Sequence, residues 1–182
     1  MERNATDELI WVDLFDNEIG SGGKMETHVK EQLHRAFSVF IVHDGKMFLQ
    51  RRAMDKYHSG GLWANACCSH PRKGETLEVA VQRRMEEELG IAQGTCTLKE
   101  VFAFTYYSRY DGLSEYEYDH VFLCDYAGKI TPDMQEMMDY RWVDLKELEQ
   151  EVVKEPQKFS AWFIIAISRV LAEINMCQDK EA

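Results

Sequence analysis

Residues 63–91 run WANACCSHPRKGETLEVAVQRRMEEELGI, and few architectures accommodate such a run. Leu77, Val81, Met85 and Leu89 recur every fourth residue with Ala80 beside them. That spacing predicts a helix over 76–89 that buries one stripe. Gly90 is its natural stop, because the residue after a helix often takes a left-handed conformation that glycine adopts without strain. Ahead of the helix, 63–69 reads as a short strand, followed by a polar turn at Gly74-Glu75. Strand, loop and helix in this order bring a thiol, an imidazole, guanidinium groups and carboxylates to one place. That mixture suits metal-assisted chemistry on an anionic substrate.

The remaining elements alternate irregularly. Residues 9–15 are β-prone and lead into a turn over 16–20, and 21–33 form a polar stretch with a flexible Gly-Gly. Residues 36–42 and 46–51 read as strands joined by Asp44-Gly45, a two-residue hairpin signal. A charged, glycine-rich loop over 52–62 follows. Strands are predicted over 99–108 and 116–125, joined around Asp111-Gly112, and a short one over 140–143. Asp144 opens a helix in the manner of a capping box, and Ser160 opens a last helix over 159–175. Strands before and between helices predict a mixed α+β sandwich, not a regular βαβ repeat. The 182 residues are expected to form one domain, 1–182, with its core over about 34–175.

A formal charge of −11 argues against a broad nucleic-acid or anionic-membrane surface, so an anionic small molecule would need a local basic pocket. No apolar run approaches the roughly 20 residues of a membrane span. The start MERNATDELI lacks a charged-then-apolar leader, and five cysteines without framework spacing fit a reducing compartment. A cytoplasmic protein is expected, monomeric or at most dimeric.

Alternation along a strand sends Cys68 and His70 to one face and Cys67 to the other. Cys67 reads as a small buried hydrophobe, and Cys68 as a candidate for proton transfer or nucleophilic chemistry. Glu115 and Glu117 share a strand face. Alone they read as a solvated edge, but paired they suit a metal ligand and a general acid or base. Asp119 continues that face and reads as solvated. His28 and His34 cannot meet on one helix, so a shared site requires a loop between them; with His70 and the carboxylates they would suit a divalent transition metal. His43 and His58 read as surface residues, and His120 faces away from the acidic pair. Arg83–Glu87 and Arg84–Glu88 read as surface i,i+4 pairs. Lys24, Arg51, Arg52 and Lys56 are candidates to converge on phosphates.

Residues 69–91 resemble the Nudix box, G-x5-E-x7-R-E-U-x-E-E-x-G-U, with Glu75, Arg83, Met85, Glu87, Glu88, Gly90 and Ile91 in register. Ser69 replaces the first glycine. Arg84 replaces a glutamate that helps hold magnesium in the hydrolases of that superfamily. With CCSHP, HVKEQLHRAFSVF, EYE and FSAW in this order, residues 10–174 are similar to the type 1 isopentenyl-diphosphate Δ-isomerases. The resemblance implies a Nudix-type α/β/α sandwich with a mixed sheet and added N-terminal structure. It also implies interconversion of isopentenyl and dimethylallyl diphosphates. Carried over, the metal ligands are His28, His34, His70, Glu115 and Glu117, for manganese or zinc, with Glu88 holding a magnesium on the substrate diphosphate. Cys68 and Glu117 match the proton-transfer pair, and Tyr106 and Trp162 the aromatic residues of the hydrocarbon pocket. Lys24, Arg52, Lys56 and Arg84 match the basic residues around the diphosphate. A Nudix hydrolase of a nucleotide or other diphosphate is the alternative enzyme, and a metal-binding sensor of a diphosphate metabolite the non-enzymatic one.

Overall fold

Two short antiparallel strands, β1 (Glu8–Val12) and β2 (Glu18–Gly23), open the described part of the chain. The computed structural model describes residues 7–181, with side chains as far as Met176. The turn between these strands comes earlier than expected. The Asp13 carboxylate accepts from the amides of Phe15 and Asn17 and folds the chain back there. The polar stretch after residue 20 is also structured: β2 runs into a short helix, α1 (Lys24–Val29). β2 carries no alternating pattern because Gly20 and Gly22 lie under an indole. A Cβ on Gly22 would come within 2.2 Å of the Trp11 ring. Trp11 Nε1 then donates to Thr27 Oγ1 at 2.9 Å, which anchors α1 and the histidine it carries.

β3 (His34–His43) and β4 (Lys46–Arg52) form the expected hairpin, with Asp44 and Gly45 both at positive φ as the turn requires. They pair only at Val42–Met47 and His43–Lys46 and then part. β5 (Trp63–Ala64) pairs with β4, whereas β6 (Cys67–Ser69) pairs with β3. The strand expected over 63–69 is therefore broken at Asn65-Ala66, where it changes partner. Buried Asn65 holds the break: its Nδ2 donates to the carbonyls of Val39 and Cys67.

Helix α2 (Leu77–Leu89) starts at Thr76, whose hydroxyl accepts from the Val79 amide, and stops at Gly90 with φ 65°. β7 (Leu98–Tyr110) and β8 (Leu113–Asp125) make a long hairpin, and β8 lies parallel to β3 from Glu117 to Asp125. β8 is thus an interior strand from Glu117 onward, with Glu115 just beyond the start of that pairing. β9 (Met137–Asp144) pairs with β4. It leads through α3 (Leu145–Lys154), capped by Asp144, and a single 3-10 turn at Pro156–Lys158 into α4 (Ala161–Glu181).

One mixed sheet thus carries a helix on each face. Phe37, Val39 and Ile41 of β3 pack with Val81, Met85 and Leu89 of α2. Phe40 packs with Phe163, Ala166 and Ile167 of α4, along with Val121 of β8. No helix among the described residues is long and apolar enough to cross a membrane. Where β3 and β4 diverge, a cavity opens to solvent, lined by Ser38, Gln50, Arg52 and Cys68 among others.

Candidate active site

The two cysteines part as alternation requires. Cys67 is fully buried in the layer under α2, while Cys68, opposite Ser38 in register, lines the cavity. Burial pushes the Cys68 thiol up to about 12, partly opposed by Arg52, whose Nη1 lies 3.8 Å from Sγ.

β8 supplies the carboxylates. Glu115 and Glu117 are both buried, as is Asp119, which accepts from Ser38 Oγ at 2.8 Å. The expectation that Asp119 is solvated therefore fails: the carboxylate is buried beside β3, whose Ser38 hydroxyl it holds. Glu117 is held from two sides: Tyr106 Oη donates to Oε2 at 2.7 Å and His70 Nε2 lies 2.8 Å from Oε1, while His34 Nε2 stands off at 3.7 Å. Ligand atoms of His28, His34, His70 and Glu115 all lie within 4.8 Å of one another. The loop required between His28 and His34 is the turn after α1, where Glu31 has φ 55°.

The donor set fits a divalent metal. His34 Nδ1 donates to the Gln32 carbonyl at 2.8 Å, which leaves the Nε2 lone pair facing the cluster, buried and without a hydrogen-bond partner. His28 Nδ1 likewise faces the Ser114 carbonyl at 3.1 Å. Backbone carbonyls that fix the tautomer in this way are the usual outer support of metal-ligating imidazoles.

Loss of hydration on burial holds His28 down to about 2, His58 to about 3 and His70 to about 4, with Glu117 opposing in each case. Unfolded histidine takes up a proton below 6.5, whereas these folded rings do not. The stability they contribute is complete above pH 6.5 and is lost as pH falls. Metal-stripped protein should lose about 1.4 kcal/mol per pH unit for each such ring between pH 6.5 and 4. Imidazole NMR titrations in which these rings take up protons near pH 6.5 would contradict the neutral, buried state.

On α2, Arg84 and Glu88 follow Ala80 at four-residue steps, on the flank of the buried stripe. Both are buried and paired, so the surface reading of this pair is corrected. Arg83 instead grips Glu75, with Nε–Oε1 at 2.8 Å and Nη2–Oε2 at 2.9 Å, and only brushes Glu87 at 3.4 Å. Lys24, Arg52, Lys56 and Arg84 line the cavity together with Glu88, Tyr106 and Trp162. Arg51 does not join them; its Nε donates to the Gly61 carbonyl at 2.9 Å. Trp162 Nε1 donates to Asn65 Oδ1 at 2.9 Å, and Arg52 Cζ lies 5.1 Å from the ring centre.

Sequence reasoning missed three cavity residues. His58, read as a surface residue, is buried, with Nε2 2.6 Å from Glu115 Oε1 and its ring stacked on Tyr110. Tyr57 Oη lies 3.2 Å from both His28 Nε2 and Glu115 Oε1. Glu136, from the loop before β9, reaches Lys56. An irregular loop has no periodicity to reveal direction. The available hint was the succession Lys56-Tyr57-His58 a few residues after Arg52. The other readings stand: His43 is exposed beside Asp125, and His120 turns away toward Glu100 and Asp16.

A mixed sheet between helices, with α2 beside its cavity, places the chain in a known class: the NUDIX domain family matches residues 32–163. DR0079 of Deinococcus radiodurans superposes with a TM-score of 0.76 at 15% identity, over 90% of this chain and 98% of that one. A MutT NUDIX hydrolase of Burkholderia pseudomallei gives 0.61 at 26% identity, over 76% and 98%. Sequence relatives narrow the class. An isopentenyl-diphosphate Δ-isomerase 2 of Aromatoleum aromaticum is 44% identical over 91% of this chain and 87% of its own. The enzyme of that name from Photorhabdus laumondii is 46% identical over 85% and 87%. The chain belongs to the isopentenyl-diphosphate Δ-isomerase family.

Proposed function

We propose that this protein interconverts isopentenyl and dimethylallyl diphosphates, moving a double bond by one carbon. The observation that carries the reading is the meeting of Cys68 and Glu117 in one cavity, walled by Trp162 and ringed by cations. The reaction adds a proton at the alkene terminus and removes another from the neighbouring methylene, through a tertiary cation. Cys68 and Glu117 handle these two protons from opposite sides of the substrate and exchange roles when the direction reverses. Tyr106 orients the Glu117 carboxylate through its hydrogen bond. Trp162, anchored by Asn65, offers its ring face to the cation, a contact contributing up to ~2 kcal/mol in a desolvated site.

His28, His34, His70, Glu115 and Glu117 would hold manganese or zinc, which when bound supplies a fixed positive charge that tunes the acidity of the Glu117 carboxyl. Glu88 would hold the magnesium that accompanies the diphosphate. Lys24, Arg52, Lys56 and Arg84 orient that diphosphate, arginine forks matching its oxygens. Arg84, where the box of the hydrolases has a glutamate, supports rearrangement over cleavage.

Incubation with isopentenyl diphosphate, and separately with nucleoside diphosphate derivatives, tests the reading. Dimethylallyl diphosphate should form from the first, and no phosphate should be released from the second. Phosphate release without isomer would mean a hydrolase, and binding without turnover a sensor.

A further inference from the structure

Glu136 lies outside the box and among no residues assigned so far, yet its carboxylate stands inside the cation cluster. One oxygen, Oε2, lies 2.5 Å from Lys56 Nζ and 3.7 Å from Arg84 Nη2. The loop that carries it is fixed at several points. The amides of Thr131 and Asp133 donate to the carbonyls of Leu89 and Glu88 at 2.7 and 2.8 Å, and the Ala53 amide donates to the Glu136 carbonyl at 3.1 Å. Glu136 is therefore tied by its backbone both to the end of α2 and to the loop bearing Lys56.

The carboxylates in contact with Lys56 and Arg84 outnumber these two cations. Lys56 and Arg84 are two cations; Glu136 and Glu88 are two carboxylates in contact with them, and Glu87 adds a third at 2.8 Å from Arg84 Nη1. A diphosphate arriving alone thus meets neutralised cations and nearby like charge. Partly buried like charges repel strongly enough to decide which ligand is accepted. A divalent cation arriving with the diphosphate reverses the balance, since the same carboxylates then face opposite charge.

We propose that Glu136 is a specificity-determining residue that makes diphosphate binding conditional on a divalent cation. It holds Lys56 and Arg84 in position while the cavity is free, and with Glu88 it disfavours a diphosphate that lacks its metal. The inference rests on the isomerase reading, in which these cations serve a diphosphate.

Calorimetric titration with inorganic diphosphate, with and without added magnesium, tests it on wild-type protein, Glu136→Gln and Glu136→Asp. Glu136→Gln should bind metal-free diphosphate about tenfold more tightly than wild type, with the magnesium enhancement reduced by a similar factor. Glu136→Asp keeps the charge and should retain the wild-type magnesium dependence. Metal-free binding by Glu136→Gln equal to or weaker than wild type would overturn the proposal. So would wild-type protein that binds diphosphate equally with and without magnesium, a result that needs no variant. Absence of isopentenyl diphosphate turnover by the wild-type protein would instead count against the isomerase reading, and the titrations do not depend on it.

Discussion

Cys68→Ala is expected to lower isomerase turnover by about 10²–10⁴-fold, the range a positioned proton-transfer group supplies, while the protein stays folded. The fold should tolerate the change because β6 is held by backbone pairing of Cys68 with Ser38, not by the thiol. Sγ faces the cavity, where Arg52 makes only a long contact to it. Burial keeps the group protonated near neutral pH, so the resting residue carries the proton that the reaction can use. Cys67→Ala is the matched control. It removes a buried sulfur packed beneath α2, so it should lower the melting temperature while retaining most turnover. Rates and melting curves of the two variants decide the matter; an active Cys68→Ala beside an inactive Cys67→Ala would reverse the assignment.

Glu117→Gln should lose turnover over a similar range and lose metal as well. The carboxylate touches Tyr106 and His70 directly and approaches His34, so it joins the aromatic wall to the imidazole cluster. An amide keeps the shape but not the charge that a divalent ion requires. Metal affinity should fall by at least 10–100-fold, the loss that follows removal of a mere outer-shell partner. Elemental analysis beside the rate measurement separates two outcomes. A variant that is inactive but fully metallated would confine Glu117 to proton transfer.

Much of this arrangement was legible because it follows from period. The four-residue recurrence of Leu77, Val81, Met85 and Leu89 located α2, and strand alternation separated Cys68 from Cys67 without any structure. The same alternation put Glu115, Glu117 and Asp119 on one face, but it could not say what lay against that face. Burial there depends on β8 pairing along β3, a contact between residues about 80 positions apart that no local pattern encodes. Arg84 was misjudged for a related reason: its spacing to Glu88 is identical whether the helix flank meets water or a cavity. β2 was missed because Trp11 replaces the side chains that would have shown its alternation. His58 and Glu136 sit on irregular loops, and their directions are set by distant anchors.

The parting of β3 from β4 has a mechanical consequence. Below the hairpin turn, the two halves of the sheet are joined across the gap by the chain crossing at Asn65-Ala66 and by side chains: Gln50 Nε2 to the Ala66 carbonyl at 3.2 Å, and Arg52 toward Cys68. The carboxylates of β8 belong to one half, and Arg52 and Lys56 to the other. A substrate gripped by both ends would therefore act as a removable crosslink, reinforcing a seam that the backbone crosses at Asn65-Ala66. At a hundredfold excess over Kd, such a ligand adds about 2.7 kcal/mol to stability, concentrated along that seam.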